Sequence, residues 1–303
     1  MTSRPPSRAA HAPQKKVLVT GASSGIGRAT AECFLGDGWA VFASAREPDR
    51  LADLAARGAR TLQLDVCDES SMRAAVASVE ACGGAVDVLV NNAGYGQQGP
   101  LEETPLADIR HQFEVNLFGP MRLCQLVLPG MRRQGWGRIV NVGSMGGRIT
   151  FPGGSAYHGS KYALEAVSDV LRFEVAGFGI DVCLIEPGPV ASDFGAAALR
   201  SLEALDARSG DEAYAVFRAG LRRALEATFA DPGAAASSPA EVAEVCLDAA
   251  SAPRPHARYV VGTTARELIA RRIEQGDEAW DAFVATLYPQ PGKAMRGTGH
   301  GSS

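Results

Sequence analysis

The stretch KKVLVTGASSGIG, residues 15–27, joins a short β-branched run to a glycine-rich turn. The run predicts a buried strand, and the helix-forming residues after the turn predict a helix. Gly21, Gly25 and Gly27 allow the backbone to turn tightly and to approach a pyrophosphate, whose charge a helix amino terminus favours. Their spacing, G-x-x-x-G-x-G, differs from the common G-x-G-x-x-G. An ordinary glycine turn therefore remains the alternative for this stretch taken alone.

Strand-like and helix-like segments alternate along the chain after this turn. Five further apolar runs predict strands separated by helices: AVFASA, RTLQLDV, VDVLVNNAG, GRIVNVGS and IDVCLIEPG. Six strands in this alternation predict a parallel sheet covered on both faces, because parallel crossovers need helices. We therefore predict an α/β fold of the Rossmann type, with one doubly wound parallel sheet. Ligands of such sheets bind at the carboxyl ends of the strands, where each motif below falls.

The predicted catalytic domain spans residues 15–288. Within it, alanine-rich helical sequence over 194–229 predicts an insertion that covers a substrate site at one edge of the sheet. A further helix over about 239–251, a short strand RYVVG and C-terminal helical sequence follow. The two ends of the chain, 1–14 and 289–303, are predicted to be disordered tails.

The composition argues against several kinds of partner. The 303 residues are 46% hydrophobic and can bury a full core, and the net charge of -4 gives no reason to expect nucleic acid or an anionic membrane. No stretch approaches the roughly 18 apolar residues of a membrane span, and the first residues lack the apolar core of a secretory signal. Six scattered cysteines without a CxxC pair predict reduced thiols and no metal site. We expect a soluble, cytoplasmic protein.

An arginine, Arg46, lies 19 positions beyond Gly27, directly after the second predicted strand. Dinucleotide-binding folds place here an acid that holds the ribose 2′-hydroxyl of NAD, or an arginine that receives the 2′-phosphate of NADP. Because Ala45 is not an acid, the pattern favours NADP(H) over NAD(H). Glu47 and Asp49 partly offset the positive charge of Arg46. The alternative to a phosphate contact is that Arg46 is a solvated surface residue.

Two short motifs end the third and fourth predicted strands, LDV at 64–66 and NNAG at 91–94. Asp65 can accept a hydrogen bond from an adenine amino group, while Ala93 and Gly94 leave room for a ribose. Each motif by itself is also an ordinary ending of a strand.

The stretch AYHGSKYAL, residues 156–164, places Tyr157 and Lys161 four positions apart in a predicted helix. Residues four apart share a helix face, and an ammonium close to a phenol favours the phenolate and lowers its pKa. The pair can therefore exchange a proton with a carbonyl or alcohol oxygen, which Ser144 can also hydrogen-bond. Taken alone, a tyrosine and a lysine at this spacing usually lie on the protein surface and have no catalytic role. Its combination with Ser144 and with a phosphate-binding turn at the same sheet edge favours catalysis, whereas His158 points elsewhere and has no expected direct role.

Together these motifs resemble the short-chain dehydrogenase/reductase family over about residues 16–194. The resemblance rests on TGASSGIG, NNAG, EVNLFG, GS, YHGSK and PG. It implies an oxidoreductase in which Tyr157 is the general acid/base and Ser144 positions the substrate oxygen. It further implies that Lys161 lowers the pKa of the tyrosine and binds the nicotinamide ribose. Asn116 of EVNLFG would hold a water that links the lysine to solvent.

The same resemblance completes the set of expected cofactor contacts. The Pro-Gly turn after the sixth strand would pack beside the nicotinamide, and Ser192 stands where the family usually has a threonine that bonds the carboxamide. No metal ligand is expected. The expected cofactor-binding residues are Gly21, Ser23, Ser24, Gly25, Ile26, Gly27, Arg46, Asp65, Val66, Asn92, Ala93, Gly94, Tyr157, Lys161, Pro187, Gly188, Val190 and Ser192.

Within the family, GPLEET and GPVASDF look especially similar to 17-beta-hydroxysteroid dehydrogenase and retinol dehydrogenase-like members. This similarity implies a bulky lipophilic ketone or aldehyde as substrate, of a steroid-, retinoid- or polyketide-like kind. Phe194, Phe217 and Phe229 are individually typical of core residues, but together they can line an apolar lid.

The family also implies a homodimer or homotetramer, assembled through the long helices predicted near 105–134 and 155–177. Two alternatives to an NADP-dependent reductase stay open. One is an NAD-linked alcohol dehydrogenase of the same family, and the other is a non-catalytic dinucleotide sensor on the same fold. The presence of all four expected catalytic residues argues against the sensor.

Overall fold

The computed structural model describes residues 14–209, 212–230 and 236–291. Residues 1–13 and 292–303, which hold most of the two predicted tails, lie outside the described residues. Disorder of the tails therefore stays a prediction.

Seven strands form the central sheet, and all of their pairings are parallel. They are β1 (Lys16–Val19), β2 (Ala40–Ala45), β3 (Arg60–Gln63), β4 (Val88–Asn91), β5 (Gly137–Val142), β6 (Ile180–Pro187) and β7 (Arg258–Val261). Their order across the sheet is β3-β2-β1-β4-β5-β6-β7. The chain thus builds outward from β1 to β3 and then returns to the other side of β1. This reversal confirms the doubly wound sheet and opens a crevice between the carboxyl ends of β1 and β4.

The helices cover both faces and one end of this sheet. They are α1 (Gly25–Gly36), α2 (Ala52–Ala56), α3 (Glu69–Glu80), α4 (Leu106–Phe113), α5 (Gly119–Gln134), α6 (Ser155–Ala176), α7 (Asp193–Asp206), α8 (Ala215–Ala230), α9 (Pro239–Ser251) and α10 (Thr263–Leu287). Within the described part of the chain, none of them combines the length and the apolar character that crossing a membrane requires.

Strand β1 shows why helices lie on both faces of the sheet. Val17 and Val19 pack with residues of α1 and α9, whereas Leu18 packs with residues of α3 and α5 on the opposite face. All three side chains are fully buried. Successive side chains of a strand point to opposite faces, so a continuous apolar run requires an apolar layer on each side.

Several predicted helices are divided or shifted. The helix expected over 105–134 contains one turn of π-helix, Glu114–Phe118, between α4 and α5. Such turns are frequent at functional sites. The helical insertion expected over 194–229 consists of two helices, α7 and α8. Chain periodicity predicts that a segment is helical more reliably than it predicts where the helix bends or ends.

The C-terminal part of the chain completes both the sheet and the covering layer. Strand β7 pairs with β6, and α10 follows it with a break at Gly276, whose φ is 74°. After the break, the helix folds back so that Trp280 is buried against Ile149 and Ile269. The indole Nε1 of Trp280 donates a hydrogen bond to the Thr150 carbonyl at 3.3 Å. This segment therefore closes over the loop that follows β5.

Gly27→Ala should destabilise the fold, because a Cβ at this position would lie 2.3 Å from Asn92 Nδ2 and 2.4 Å from the Gly21 carbonyl oxygen. We expect a loss of about 1–3 kcal/mol, typical of overpacking. The matched control is Gly36→Ala in the same helix, where the added carbon meets nothing within 4 Å. It should change stability by less than about 0.5 kcal/mol or be slightly stabilising. Urea unfolding measures both, and equal values for the two variants would contradict this role for Gly27.

Candidate active site

The glycine turn after β1 is tied to the end of β4. Thr20 Oγ1 accepts hydrogen bonds from the backbone N–H groups of Asn92 at 2.9 Å and Ala93 at 3.0 Å. In return, Asn92 Nδ2 donates to the Thr20 carbonyl at 2.8 Å. Gly21 has a φ of 67°, and a Cβ there would lie 2.9 Å from the Ala93 Cα. The two motifs therefore lie side by side at the crevice, with the amino terminus of α1 directed into it.

A cavity of about 1290 Å³ follows this edge of the sheet. Pockets for single small ligands measure about 300–1,000 Å³, so this one has room for a dinucleotide and a second molecule. Of the predicted site residues, all but Gly27 and Asn116 line it. In the described ranges, no cluster of His, Cys, Asp or Glu has an arrangement that could hold a metal ion.

Two arginines lie at the end of the cavity beyond β2. Arg46 lines it, and so does Arg50, which the sequence analysis did not single out. The expected contact of Arg46 with a 2′-phosphate stays a prediction. Arg50 belongs to a 3₁₀ turn, Pro48–Leu51, which places the two exposed side chains on the same rim. Because Arg46 lies before this turn, helical spacing could not have identified Arg50.

Two other predicted cofactor contacts also stabilise the local backbone. The Asp65 carboxylate accepts a hydrogen bond from the Cys67 N–H at 2.9 Å and so stabilises the turn after β3. Ser192 is the N-cap of α7, and its Oγ accepts from the Phe194 N–H at 3.4 Å. Both side chains line the cavity while they hold their own segments in place.

Ser144 and Tyr157 meet in the middle of the cavity. The two hydroxyl groups are hydrogen-bonded, and Ser144 Oγ also accepts from the Gly146 N–H at 2.9 Å. Burial raises the pKa of Tyr157 to about 12, against which the Ser144 hydrogen bond acts to lower it. Tyr157 is therefore a protonated phenol at neutral pH, held by a serine whose own position is fixed by a turn.

Lys161 is buried one turn further along α6. Its ammonium group donates a hydrogen bond to the Val142 carbonyl at 2.8 Å. Burial lowers the pKa of Lys161 to about 8, and the Glu165 carboxylate acts to raise it. The pKa of Tyr157 moves upward in this structure because desolvation dominates. Lys161 is not among the causes of this shift, and the lowering of the Tyr157 pKa that was expected from it stays a prediction.

Asn116 lies beside the cavity and braces its wall. Its side chain is buried in the π-helical turn and bonds both backbone groups of Tyr95, accepting at 3.2 Å and donating at 3.0 Å. Its Nδ2 also donates to Ser160 Oγ at 3.2 Å, and Ser160 in turn donates to the Tyr157 carbonyl at 2.7 Å. Asn116 thus connects the segment after β4 to the helix that carries Tyr157, and its expected role in holding a water stays a prediction.

His158 has a positioning role that the sequence analysis did not predict. Its Nε2 accepts a hydrogen bond from the Phe151 N–H at 3.0 Å, and its Nδ1 lies 2.9 Å from the Gly146 carbonyl oxygen. Because the first contact needs an unprotonated Nε2, the proton belongs on Nδ1. Burial lowers the pKa of His158, which keeps the ring neutral. The imidazole therefore fastens both ends of the loop that follows Ser144.

Helices α7 and α8 lie over the cavity next to the tyrosine. The ring centroid of Phe194 is 5.5 Å from that of Tyr157 and 6.2 Å from that of Phe229. Phe194 and Phe229 line the cavity, whereas Phe217 packs in the core between the two helices, against Leu202. The insertion therefore presents an aromatic wall beside the ring of Tyr157.

Ion pairs tie these two helices to the loop before α4. Arg218 of α8 pairs with Glu103, and their side chains are only 11% and 9% exposed. Arg218 Nε also lies 2.7 Å from Asp206 Oδ1 of α7, and the Tyr214 hydroxyl donates to Glu102 at 2.6 Å. Charges shielded from water interact more strongly than exposed ones, so this network holds the insertion over the cavity.

The C-terminal segment supplies a third wall, a role that the sequence analysis left open. Leu268, Phe283 and Leu287 of α10, together with Tyr288, line the cavity. The side of the cavity away from the glycine turn is therefore mostly apolar.

Comparison with known proteins agrees with this geometry. Residues 15–202 match the family model described as short chain dehydrogenase. Human 17-beta-hydroxysteroid dehydrogenase type 1 is 37% identical over 298 residues, which cover 93% of this chain and 88% of that protein.

Two similar solved structures differ in the cofactor they contain. An alcohol dehydrogenase from the archaeon Thermococcus sibiricus, complexed with 5-hydroxy-NADP, has a TM-score of 0.68 and 25% identity, and covers 84% of this chain and 98% of its own. A short chain dehydrogenase/reductase from Burkholderia phymatum, in complex with NAD, has a TM-score of 0.74 and 26% identity, and covers 86% and 94%. Both dinucleotides therefore occur among proteins of this shape.

Proposed function

The chain belongs to the short-chain dehydrogenase family of oxidoreductases, and we propose that it is an NADP(H)-dependent reductase of bulky lipophilic ketones or aldehydes. The observation that carries this proposal is the meeting of Tyr157, Ser144 and Lys161 in one cavity with the glycine turn. An acid, a hydrogen-bond donor and an ammonium beside a dinucleotide site are the groups that carbonyl reduction needs.

NADPH held along the glycine turn, with Lys161 beside its nicotinamide ribose, would supply the hydride that reduces the substrate's carbonyl carbon. The Tyr157 hydroxyl gives its proton to the carbonyl oxygen, and the Ser144 hydroxyl donates a hydrogen bond to that oxygen. The raised pKa of Tyr157 keeps the phenol protonated at neutral pH, which suits reduction. Oxidation of an alcohol needs the phenolate and is therefore favoured at high pH. The ammonium of Lys161 stabilises the phenolate left by reduction.

The residues present fit a dinucleotide. The left-handed turn at Gly21 and Gly25 leaves no side chain between the backbone and a pyrophosphate. We assign the 2′-phosphate to Arg46 and Arg50, and the adenine to Asp65. The ribose and nicotinamide contacts, as proposed, are Asn92, Ala93, Gly94, Lys161, Pro187, Gly188, Val190 and Ser192, and the other contacts along the turn and strand ends are Ser23, Ser24, Ile26, Gly27 and Val66.

The substrate assignment is supported by the walls of the cavity. The insertion 194–229 acts as the substrate lid in this proposal. Phe194 packs beside the ring of Tyr157, Phe229 packs against Phe194, and both line the cavity. Apolar side chains from α10 line the same space. An apolar pocket with few polar groups favours a lipophilic molecule. The similarity to a 17-beta-hydroxysteroid dehydrogenase agrees with a bulky substrate of this kind.

Tyr157→Phe should abolish proton transfer while the cofactor still binds. A screen of steroids, retinoids, fatty aldehydes and polyketide-like ketones, followed by NADPH absorbance, first identifies a substrate. On that substrate we expect kcat/KM to fall by about 10²–10⁴, the usual contribution of a general acid. NADPH affinity, measured by fluorescence titration, should stay within about threefold of the parent, because one hydroxyl is lost at the far end of the site.

The matched control is Tyr162→Phe on the same helix, where the side chain is 40% exposed. It should keep the parent rate. A Tyr157→Phe variant that turns over as fast as the parent would remove Tyr157 from the mechanism.

Arg46→Ala should weaken the preference for NADPH over NADH. Losing a charge-assisted hydrogen bond costs about 1.5–3 kcal/mol, so the ratio of the two kcat/KM values should fall by roughly 10–100-fold. Arg57→Ala is the control, since Arg57 is exposed, pairs with Glu32 and does not line the cavity. A parent enzyme that prefers NADH would instead support the NAD-linked alternative.

The protein is also proposed to form a homodimer or homotetramer through α4–α6. Phe173 is 88% exposed and Val170 is 59% exposed, one helical turn apart on α6. Light scattering should give the mass of two or four chains, and Phe173→Glu should reduce it. Ile273→Glu changes a 67% exposed residue of α10 and should leave the mass unchanged. A single-chain mass for the parent would rule out the assembly.

A further inference from the structure

Two glutamates that the proposed mechanism does not use are buried together behind the catalytic helix. Glu165 lies one turn after Lys161 on α6, and Glu186 lies in β6 directly before Pro187. Glu186 is fully buried, the Glu165 side chain is 8% exposed, and one nitrogen of Arg258 lies within 3.1 Å of an oxygen of each carboxyl group. Two carboxylates so placed cannot both carry a charge without strong mutual repulsion.

Positive charge reaches this pair from two other segments. Arg258 of β7 places its Nε 2.9 Å from Glu165 Oε2 and 3.1 Å from Glu186 Oε1. Arg148, which follows the turn capped by Ser144, lies 3.4 Å from Glu186 Oε1. The other titratable or charged groups around the pair are Lys161, Tyr162, Asp169 and Arg172 of α6, and Arg272 and Asp277 of α10.

Each carboxyl group keeps one oxygen without a donor. Glu165 Oε1 and Glu186 Oε2 are buried, and no hydrogen-bond donor of the described residues reaches them. Ionised carboxylates only accept hydrogen bonds, and an unpaired buried acceptor is destabilising. One proton placed on the pair supplies the missing donor and removes one of the two like charges.

We propose that Glu165 and Glu186 hold one proton between them, and that releasing it adds a negative charge which keeps Lys161 in its ammonium form. Both glutamates are then positioning residues that act through the lysine. The effect on catalysis rests on the proposed function, whereas the proton shared by the two glutamates does not.

The directions of the pKa shifts of Glu165 and Lys161 agree with a proton held by the two glutamates. Burial, with the charge of Glu186 next, raises the pKa of Glu165 to about 7. Burial lowers the pKa of Lys161 to about 8, and the Glu165 carboxylate acts to raise it. As the pH rises through about 7, the pair loses its proton to solvent just before Lys161 would lose its own. The ammonium is thereby retained at the alkaline pH where Tyr157 must ionise to oxidise an alcohol.

The proposal can be tested by NMR on the chain alone, without a substrate. The sequence has four lysines, Lys15, Lys16, Lys161 and Lys293, so side-chain signals from isotope-labelled lysine are few. The signal absent from Lys161→Arg identifies the residue of interest. In the parent, the chemical shift of Lys161 Cε should change with pH as the lysine itself titrates. It should also show a smaller step near pH 7, which comes from the glutamates.

Three variants separate this role from a purely structural one. In Glu165→Gln the step near pH 7 should vanish, and the pKa of Lys161 should fall by about one unit, a tenfold change in its dissociation constant. In Glu186→Gln the step should move to lower pH, because the like charge that raises the pKa of Glu165 is gone. Glu174→Gln, on the exposed side of α6, should change neither value.

A parent curve without the step, or an unchanged Lys161 pKa in Glu165→Gln, overturns the proposal. If either glutamine variant does not fold, the titration curve of the parent alone tests the proposal.

Once a substrate is known, the alkaline limit of the oxidation rate should follow the pKa of Lys161 across these variants. The NMR titrations could agree with the proposal while the pH profile of the oxidation rate stays unchanged in the variants. That outcome would contradict the role given to Lys161 in the reaction, but it would leave the proton shared by the two glutamates supported.

Discussion

The close approach of the glycine turn to the end of β4 is the constraint on which the site depends. Thr20 binds the backbone of this strand end, and no room remains for a side-chain carbon at Gly27. From there a path of hydrogen bonds and one short stretch of backbone leads to α6, the helix that carries Tyr157. It runs from Thr20 to Asn92 and Ala93, along the chain to Tyr95, and on through Asn116 and Ser160 to the Tyr157 carbonyl. The glycine turn and Tyr157 are thus held in register by one connected set of contacts.

Burial is the largest cause of the opposite pKa shifts of Tyr157 and Lys161. It raises the pKa of the Tyr157 phenol and lowers that of the Lys161 ammonium, because it disfavours whichever form is charged. Both residues are therefore shifted toward their neutral forms in the chain by itself. A nearby charge opposes this effect at Lys161, where the Glu165 carboxylate acts to raise the pKa.

The cavity is enclosed by segments that lie far apart in the sequence. Loop residues after β5, the helices α7 and α8, and the C-terminal helix α10 each contribute one wall. The ion pair between Glu103 and Arg218 connects one of these walls to the loop before α4. A change in any one segment would thus alter the shape offered to a substrate without touching the glycine turn, Ser144 or Tyr157. Specificity and chemistry are in this way carried by different parts of the fold.

Local patterns in the sequence determined the parallel sheet, the glycine turn and the pairing of Tyr157 with Lys161. Each of these follows from the order of neighbouring residues, since strand runs, turn glycines and four-residue helix spacing are short-range features. The tertiary structure alone decided that burial outweighs the Ser144 hydrogen bond in setting the pKa of Tyr157. Only the tertiary structure places Arg258 of β7 beside Glu165 and Glu186, and only it places α10 over the cavity. Desolvation and contacts between distant segments depend on how the whole chain packs, and no local pattern of residues encodes them.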